Sequence, residues 1–157
     1  MNNCKQGETM SLPYASATSG KNAREEILKI LKRFNCQSVG FMDEFETHSL
    51  LLAFTWGGRS IQLRASAAGW ASAYMKDKPY THRTRVTRRD YENAALAQGV
   101  IAINSILRDW VKGQVTAVET GILSFDHVFM PYMLLPNGMT LVEHVKSAGL
   151  LPALEAQ

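Results

Sequence analysis

Asp43, Glu44, Glu46 and His48 are side chains of the kinds that hold divalent metals, and they lie close together at the end of one alternating apolar stretch. Strand geometry divides them, sending Glu44 and Glu46 to one face and Asp43 and Phe45 to the other. No lysine nearby completes a nuclease-like set, and the plainer account is a solvated strand end. His82, His127 and His144 are scattered without the paired helical spacing of a zinc site, and Glu143-His144 lacks the second histidine of a metalloprotease helix. Ser19-Gly20-Lys21-Asn22 has the Gly-Lys of a phosphate-binding loop. However, Ala15 stands where the first glycine belongs, Asn22 where Ser or Thr belongs, and no apolar strand precedes it. There is no Gly-x-Ser-x-Gly elbow, and Cys36 has no evident histidine and base partner. No convergent acid–base set is visible, so no catalytic residue, metal or cofactor is expected.

The basic residues make a stronger pattern. Between Lys76 and Asp90 lie Lys76, Lys78, Arg83, Arg85, Arg88 and Arg89 against Asp77 and Asp90, a net +4 in a chain whose whole formal charge is +3. Tyr80 and Tyr91 flank the arginines, combining guanidinium forks for phosphate oxygens with rings on which a base could stack. The segment also leads into a helix N-terminus, which favours anions. The competing account is a solvated loop that binds nothing. A second candidate contact is the hairpin tip, where Trp56 and Arg59 could stack as a cation–π pair and, with Gln62 and Arg64, meet a partner. Closure of the core by Trp56 is the simpler role.

The element that must position these groups is the hairpin from Leu50 to Ala65. Gly57-Gly58 supplies both positive-φ positions of a two-residue primed turn. That turn opposes Phe54 to Ile61, Leu52 to Leu63 and Leu50 to Ala65 on a core face, with Thr55–Ser60, Ala53–Gln62 and Leu51–Arg64 on the other. Ser38 to Glu46 reads as a preceding strand, completing a three-stranded antiparallel meander. An amphipathic helix is expected from Asn22 to about Asn35, opened by Asn22 with Glu25 and carrying Ala23, Ile27, Ile30, Leu31 and Phe34 on one face. A small-residue helix follows the hairpin from Ala65 to Met75. After the Lys76–Val86 loop, Thr87 with Asp90 opens a long helix to Thr120, with a weak point at Gly113 and Gly121 closing it. Ser124 with His127 starts a short helix, Met133 to Leu135 is a short strand, and Thr140 with Glu143 caps a last helix closed by Gly149.

At 157 residues and 46% hydrophobic the chain suits one core. Residues 1–21 read as a polar, mobile tail or a surface strap, and 22–157 as a single α+β domain: a three-stranded antiparallel meander flanked by helices, with a long C-terminal helix and a short strand-turn-helix unit. The first five elements follow the order of a double-stranded-RNA-binding domain, an analogy of order alone. No apolar run, Val100 to Ile103 included, is long enough to span a bilayer, the N-terminus has no secretory apolar core, and Cys4 and Cys36 make no disulfide framework. A cytoplasmic protein, in the host cell if phage-encoded, is expected.

Leu12-Pro13-Tyr14-Ala15-Ser16-Ala17-Thr18-Ser19-Gly20, the Phe34-x-Cys36-x-Ser38-x-Gly40 step, the Trp56-Gly57-Gly58-Arg59 turn and Leu134-Leu135-Pro136-Asn137-Gly138-x-Thr140 resemble small uncharacterised proteins of tailed phages and prophages. The resemblance implies a setting of replication, recombination or counter-defence and assigns no residue a role. Taken together, the expectation is a non-catalytic accessory protein that engages nucleic acid, or a complex that processes it, through Lys76, Lys78, Tyr80, Arg83, Arg85, Arg88 and Arg89. The alternative is a protein-binding inhibitor or adaptor, self-associating through the broad apolar stripe from Leu96 to Trp110. A metal-dependent enzyme would require Glu44, Glu46 and a histidine to converge.

Overall fold

A computed structural model describes residues 11–155. Its elements are α1 (Gly20–Arg33), β1 (Ser38–Glu44), β2 (Ser49–Trp56), β3 (Arg59–Ser66), α2 (Ala67–Asp77), α3 (Arg88–Glu119), α4 (Phe125–Phe129) and α5 (Leu141–Ser147), with a 3₁₀ turn at Met130–Tyr132 between the last two. The three strands form one antiparallel sheet in chain order. Its centre is the predicted hairpin in the predicted register: Phe54 opposes Ile61, Leu52 opposes Leu63 and Leu50 opposes Ala65. Gly57 and Gly58 have φ of +57° and +77°, the two left-handed residues that a primed turn needs.

Alternation then sorts the sheet into faces. Leu50, Leu52, Phe54, Ile61 and Leu63 are buried against the helices, whereas Leu51, Ala53, Gln62 and Arg64 occupy the other face. Helix α1 lays Ala23, Ile27, Ile30 and Leu31 on this core, and Asn35, at φ +65°, ends it with Cys36 N–H donating to the Leu31 carbonyl. Two starts fall elsewhere than expected. Helix α1 begins at Gly20, because Ser19 and not Asn22 is the cap, its hydroxyl accepting from the Asn22 amide at 3.3 Å. Helix α2 begins at Ala67, after Ser66, whose hydroxyl accepts from the Gly69 amide at 3.1 Å.

Residues 11–19 form a strap over α2 and α3. Trp70 Nε1 donates to the Pro13 carbonyl, Gln98 Nε2 donates to the carbonyls of Tyr14 and Ala17, and the Tyr14 hydroxyl donates to Asp109 at 2.7 Å. Leu12, Tyr14 and Ala15 pack against the core. The expected tail of residues 1–21 therefore runs, from residue 11 onward, along the body of the domain and into α1. Residues 1–10, with Cys4, lie outside the described residues, as do 156–157.

Helix α3 is continuous through Gly113, with Thr87 capping the Asp90 amide and Gly121 at φ +74° beyond its end. It packs against α1 and α2, burying Ala95, Gly99, Ala102, Ile103, Leu107, Val111 and Val115. Its broad apolar stripe is thus largely occupied within one chain, although Leu96, Ile106 and Trp110 keep partial exposure. The C-terminal unit closes over the open end of the sheet: Leu134 N–H donates to the Ser60 carbonyl at 2.8 Å, and Met133 bridges to Ile61. Its anticipated strand is reduced to isolated bridges at Met133 and Leu134. No helix among the described residues is long and apolar enough to cross a membrane.

Candidate nucleic-acid interface

The basic segment spans the end of α2, the connecting loop and the first turn of α3. Helix α2 stops at Asp77 because Pro79 supplies no amide to continue it, and α3 restarts where the Thr87 hydroxyl accepts from the Asp90 amide. The loop between them is held by its own groups. Tyr80 donates its hydroxyl proton to the Val86 carbonyl at 3.0 Å, Thr84 N–H donates to the Thr81 carbonyl at 2.9 Å, and the Tyr91 hydroxyl donates to the Lys78 carbonyl. Two tyrosines therefore fasten the loop's shoulders, one from within it and one from α3.

Behind the loop runs an aromatic series. Trp70 stacks on Tyr74 at 5.4 Å, Tyr74 lies 6.5 Å from Tyr91, and Tyr91 lies 5.7 Å from Tyr80, so rings connect the core to the basic surface. The Tyr91 hydroxyl titrates above its ordinary value, first from burial and then from Tyr74. Lys78 places its ammonium 5.8 Å over the Tyr74 ring. Tyr80 and Tyr91 are recognisable in the sequence by their flanking position. Trp70 and Tyr74 are not, because within α2 they read only as apolar positions.

Ion pairing separates these arginines from the rest. Outside the segment all five arginines meet carboxylates: Arg24 with Asp43, Arg33 with Glu119, Arg59 with Asp126, Arg64 with Glu44, and Arg108 with Asp109 and Glu26. Within it Arg88 pairs with Glu92 one turn along α3, while Arg83, Arg85 and Arg89 are exposed with no carboxylate partner among the described residues. Lys76 and Lys78 are exposed as well.

The hairpin tip has a different character. Trp56 stacks on Phe125 at 4.1 Å and on Phe34 at 5.4 Å, and its indole N–H donates to the Phe34 carbonyl at 3.2 Å. The ring thus closes the core, and the anticipated Trp56–Arg59 stacking does not form. Arg59 reaches Asp126 on α4 instead. Arg64 pairs with Glu44 across the outer sheet face, leaving Gln62 half-buried on that face.

The acidic group is likewise dispersed into separate contacts. β1 ends at Glu44 and not at Glu46, because Thr47 and Ser49 hydroxyls donate to the Glu44 carboxylate at 3.1 and 3.0 Å and draw the chain into its turn. Arg24 binds Asp43 bidentately at 2.6 and 3.0 Å, while its Nε donates at 2.7 Å to the buried Asn104 amide oxygen. Hydrogen bonding from Arg24 holds Asp43 below the ordinary carboxylate value against the opposing effect of burial. Hydrogen bonds from Arg64, Ser49 and Thr47 lower Glu44 likewise. Glu46 and His48 face solvent. Among the described residues no three His, Cys, Asp or Glu side chains group closely enough to hold a metal ion.

Cys36, half-buried after α1, has its thiol pushed up to about 11 by burial. Thiolate is the reactive form, so alkylation of Cys36 at mildly alkaline pH, followed by peptide mass spectrometry, is expected to run at least about tenfold slower than that of free cysteine. A rate equal to free cysteine would mean that the Phe34–Ser38 backbone opens readily.

No protein-family model, curated protein or solved structure matches the chain.

Proposed function

We propose that this is a non-catalytic phage or prophage accessory protein that engages nucleic acid, or a complex that processes it, through the surface from Lys76 to Arg89. The observation that carries this reading is the contrast in ion pairing: arginines elsewhere are matched with carboxylates, whereas Arg83 and Arg85 on the fastened loop and Arg89 in the first turn of α3 stand exposed and unmatched among the described residues. Unmatched guanidinium groups in a segment that also carries Tyr80 provide charge for phosphates and flat surface for bases. The segment also leads into the amino end of a 32-residue helix, with Arg89 in its first turn, which adds to the positive potential.

Electrophoretic mobility shifts at several salt concentrations test this. Wild type is expected to bind with an affinity that falls as salt rises. The variant with Arg83, Arg85, Arg88 and Arg89 all changed to Ala is expected to lose most of that binding and to flatten the dependence by about 0.7 to 0.9 per phosphate contact removed. Absence of salt-sensitive binding by wild type, or equal binding by the variant, would overturn the proposal. The substitutions are on the surface, so each should alter folding stability by no more than about 0.5 kcal/mol.

A protein-binding inhibitor or adaptor is the second reading. It is favoured by large apolar side chains left exposed at Phe45, Ile122, Leu150 and Leu154. Light scattering, together with identification of what co-purifies from the native host, separates self-association from capture of another protein.

A further inference from the structure

A cavity of about 200 Å³ opens between the end of α2 and the first turn of α3, beside the arginine loop. Tyr80 and Tyr91 both line it, their rings in tilted contact at 5.7 Å and 53°, so that a planar ligand has room against one ring of the pair and not between the two. Met75 and Pro79 supply further apolar lining, and Arg88 and Glu92, paired at 3.1 Å, supply a donor fork beside an acceptor. Each tyrosine hydroxyl is already committed to a backbone carbonyl, Tyr80 to Val86 and Tyr91 to Lys78. The ring planes are therefore set before any ligand arrives, and little ordering entropy remains to be lost on binding.

We propose that this cleft receives an unpaired base of single-stranded nucleic acid, stacked on Tyr80 or Tyr91 with its polar edge toward Arg88 and Glu92, while Arg83, Arg85 and Arg89 take the adjoining phosphates. This rests on the nucleic-acid reading above and specifies which form of nucleic acid the loop takes. A base paired within a duplex has both faces covered by its neighbours and cannot lie on a tyrosine ring in this cavity, whereas a single strand presents its bases freely. Stacking uses the π-face that every base possesses, and the Arg88–Glu92 pair offers both a donor and an acceptor. The preference is accordingly for strandedness and not for sequence.

Fluorescence anisotropy with a labelled single-stranded oligonucleotide, as DNA and as RNA, and with the duplex of the same sequence tests the proposal at matched salt. Either single strand is expected to bind about tenfold tighter than its duplex, and Tyr80→Ala is expected to remove about tenfold of single-strand affinity while changing duplex affinity by less than about twofold. Tyr80→Phe keeps the ring and deletes the bond to Val86, and it is expected to retain the single-strand preference. Equal binding of single strand and duplex would overturn the base-cleft proposal while leaving the nucleic-acid reading intact. So would equal losses on both substrates with Tyr80→Ala, or a loss with Tyr80→Phe as large as with Tyr80→Ala, since Tyr80 would then act only by shaping the loop. Failure of wild type to bind any of the probes would instead overturn the underlying nucleic-acid reading and this proposal with it.

Discussion

Replacing Phe129 with alanine is expected to cost about 3–5 kcal/mol of folding stability. The ring is wholly buried, and it meets Phe54 edge-on at 5.5 Å and 85°, Trp110 at 5.9 Å and 79°, and Phe125 at 4.9 Å. It thus joins the sheet, the long helix and the C-terminal unit at one point. Truncation removes the apolar transfer energy of the ring and leaves a void that three other aromatic side chains can fill only by giving up their mutual geometry. The consequence should extend to α4, because a five-residue helix has no stability of its own and depends on what its apolar face covers. Urea denaturation gives the size of the loss and amide hydrogen exchange its location, with residues 124–141 expected to lose protection first. A loss below about 1 kcal/mol would show that the C-terminal unit lies outside the cooperative core.

The second large effect concerns a residue without a side chain. At Gly99 an added Cβ would stand 2.7 Å from the Ala67 carbonyl oxygen, a backbone atom at the first turn of α2. Helix propensity alone favours Ala over Gly by about 1 kcal/mol. Overpacking against a backbone that cannot rotate away costs about 1–3 kcal/mol, and a contact this short belongs at the upper end of that range. Gly99→Ala is therefore expected to destabilise despite its better propensity. Gly113, on the same helix, has nothing within 4 Å of an added Cβ, so Gly113→Ala should stabilise by about 0.5–1 kcal/mol. Thermal melts of the two variants should move in opposite directions, and a gain at Gly99 would refute its role in setting the spacing between α2 and α3.

The sequence makes features legible where the deciding chemistry is local. Gly57-Gly58 and the alternation on either side dictate one register, and any slip would have sent Ile61 and Leu63 to solvent. Thr140 and Glu143 satisfy each other's backbone amides within one turn, with Thr140 N–H donating to Glu143 at 2.8 Å, and their spacing announces the helix. Local signals fail where two of them compete or where a distant partner decides. Both Ser19 and Asn22 are good caps. The earlier one prevails in the fold, where the strap of residues 11–19 is tied down by Trp70 and Gln98 and Gly20 lies against Asn104.

The candidate sites divide in the same way. Arg59 looks free beside Trp56 in the sequence, yet its partner Asp126 is 67 positions away, and Trp56 takes its stacking partners from Phe34 and Phe125. Periodicity cannot reveal such pairings. The basic loop was legible as a cluster of charge, and its two flanking tyrosines as rings. Glu92 and Met75 were not legible as neighbours of those rings, since they join them only when α2 and α3 pack together.

The uninterrupted course of α3 has a mechanical consequence. At about 1.5 Å per residue its 32 residues make a rod roughly 48 Å long. The arginine loop feeds one end of that rod, while the aromatic cluster around Phe125 follows the other, just beyond the exposed Ile122. The helix therefore acts as a ruler, holding the exposed arginines at one end and the exposed Ile122 and Leu123 beyond the other at a set separation.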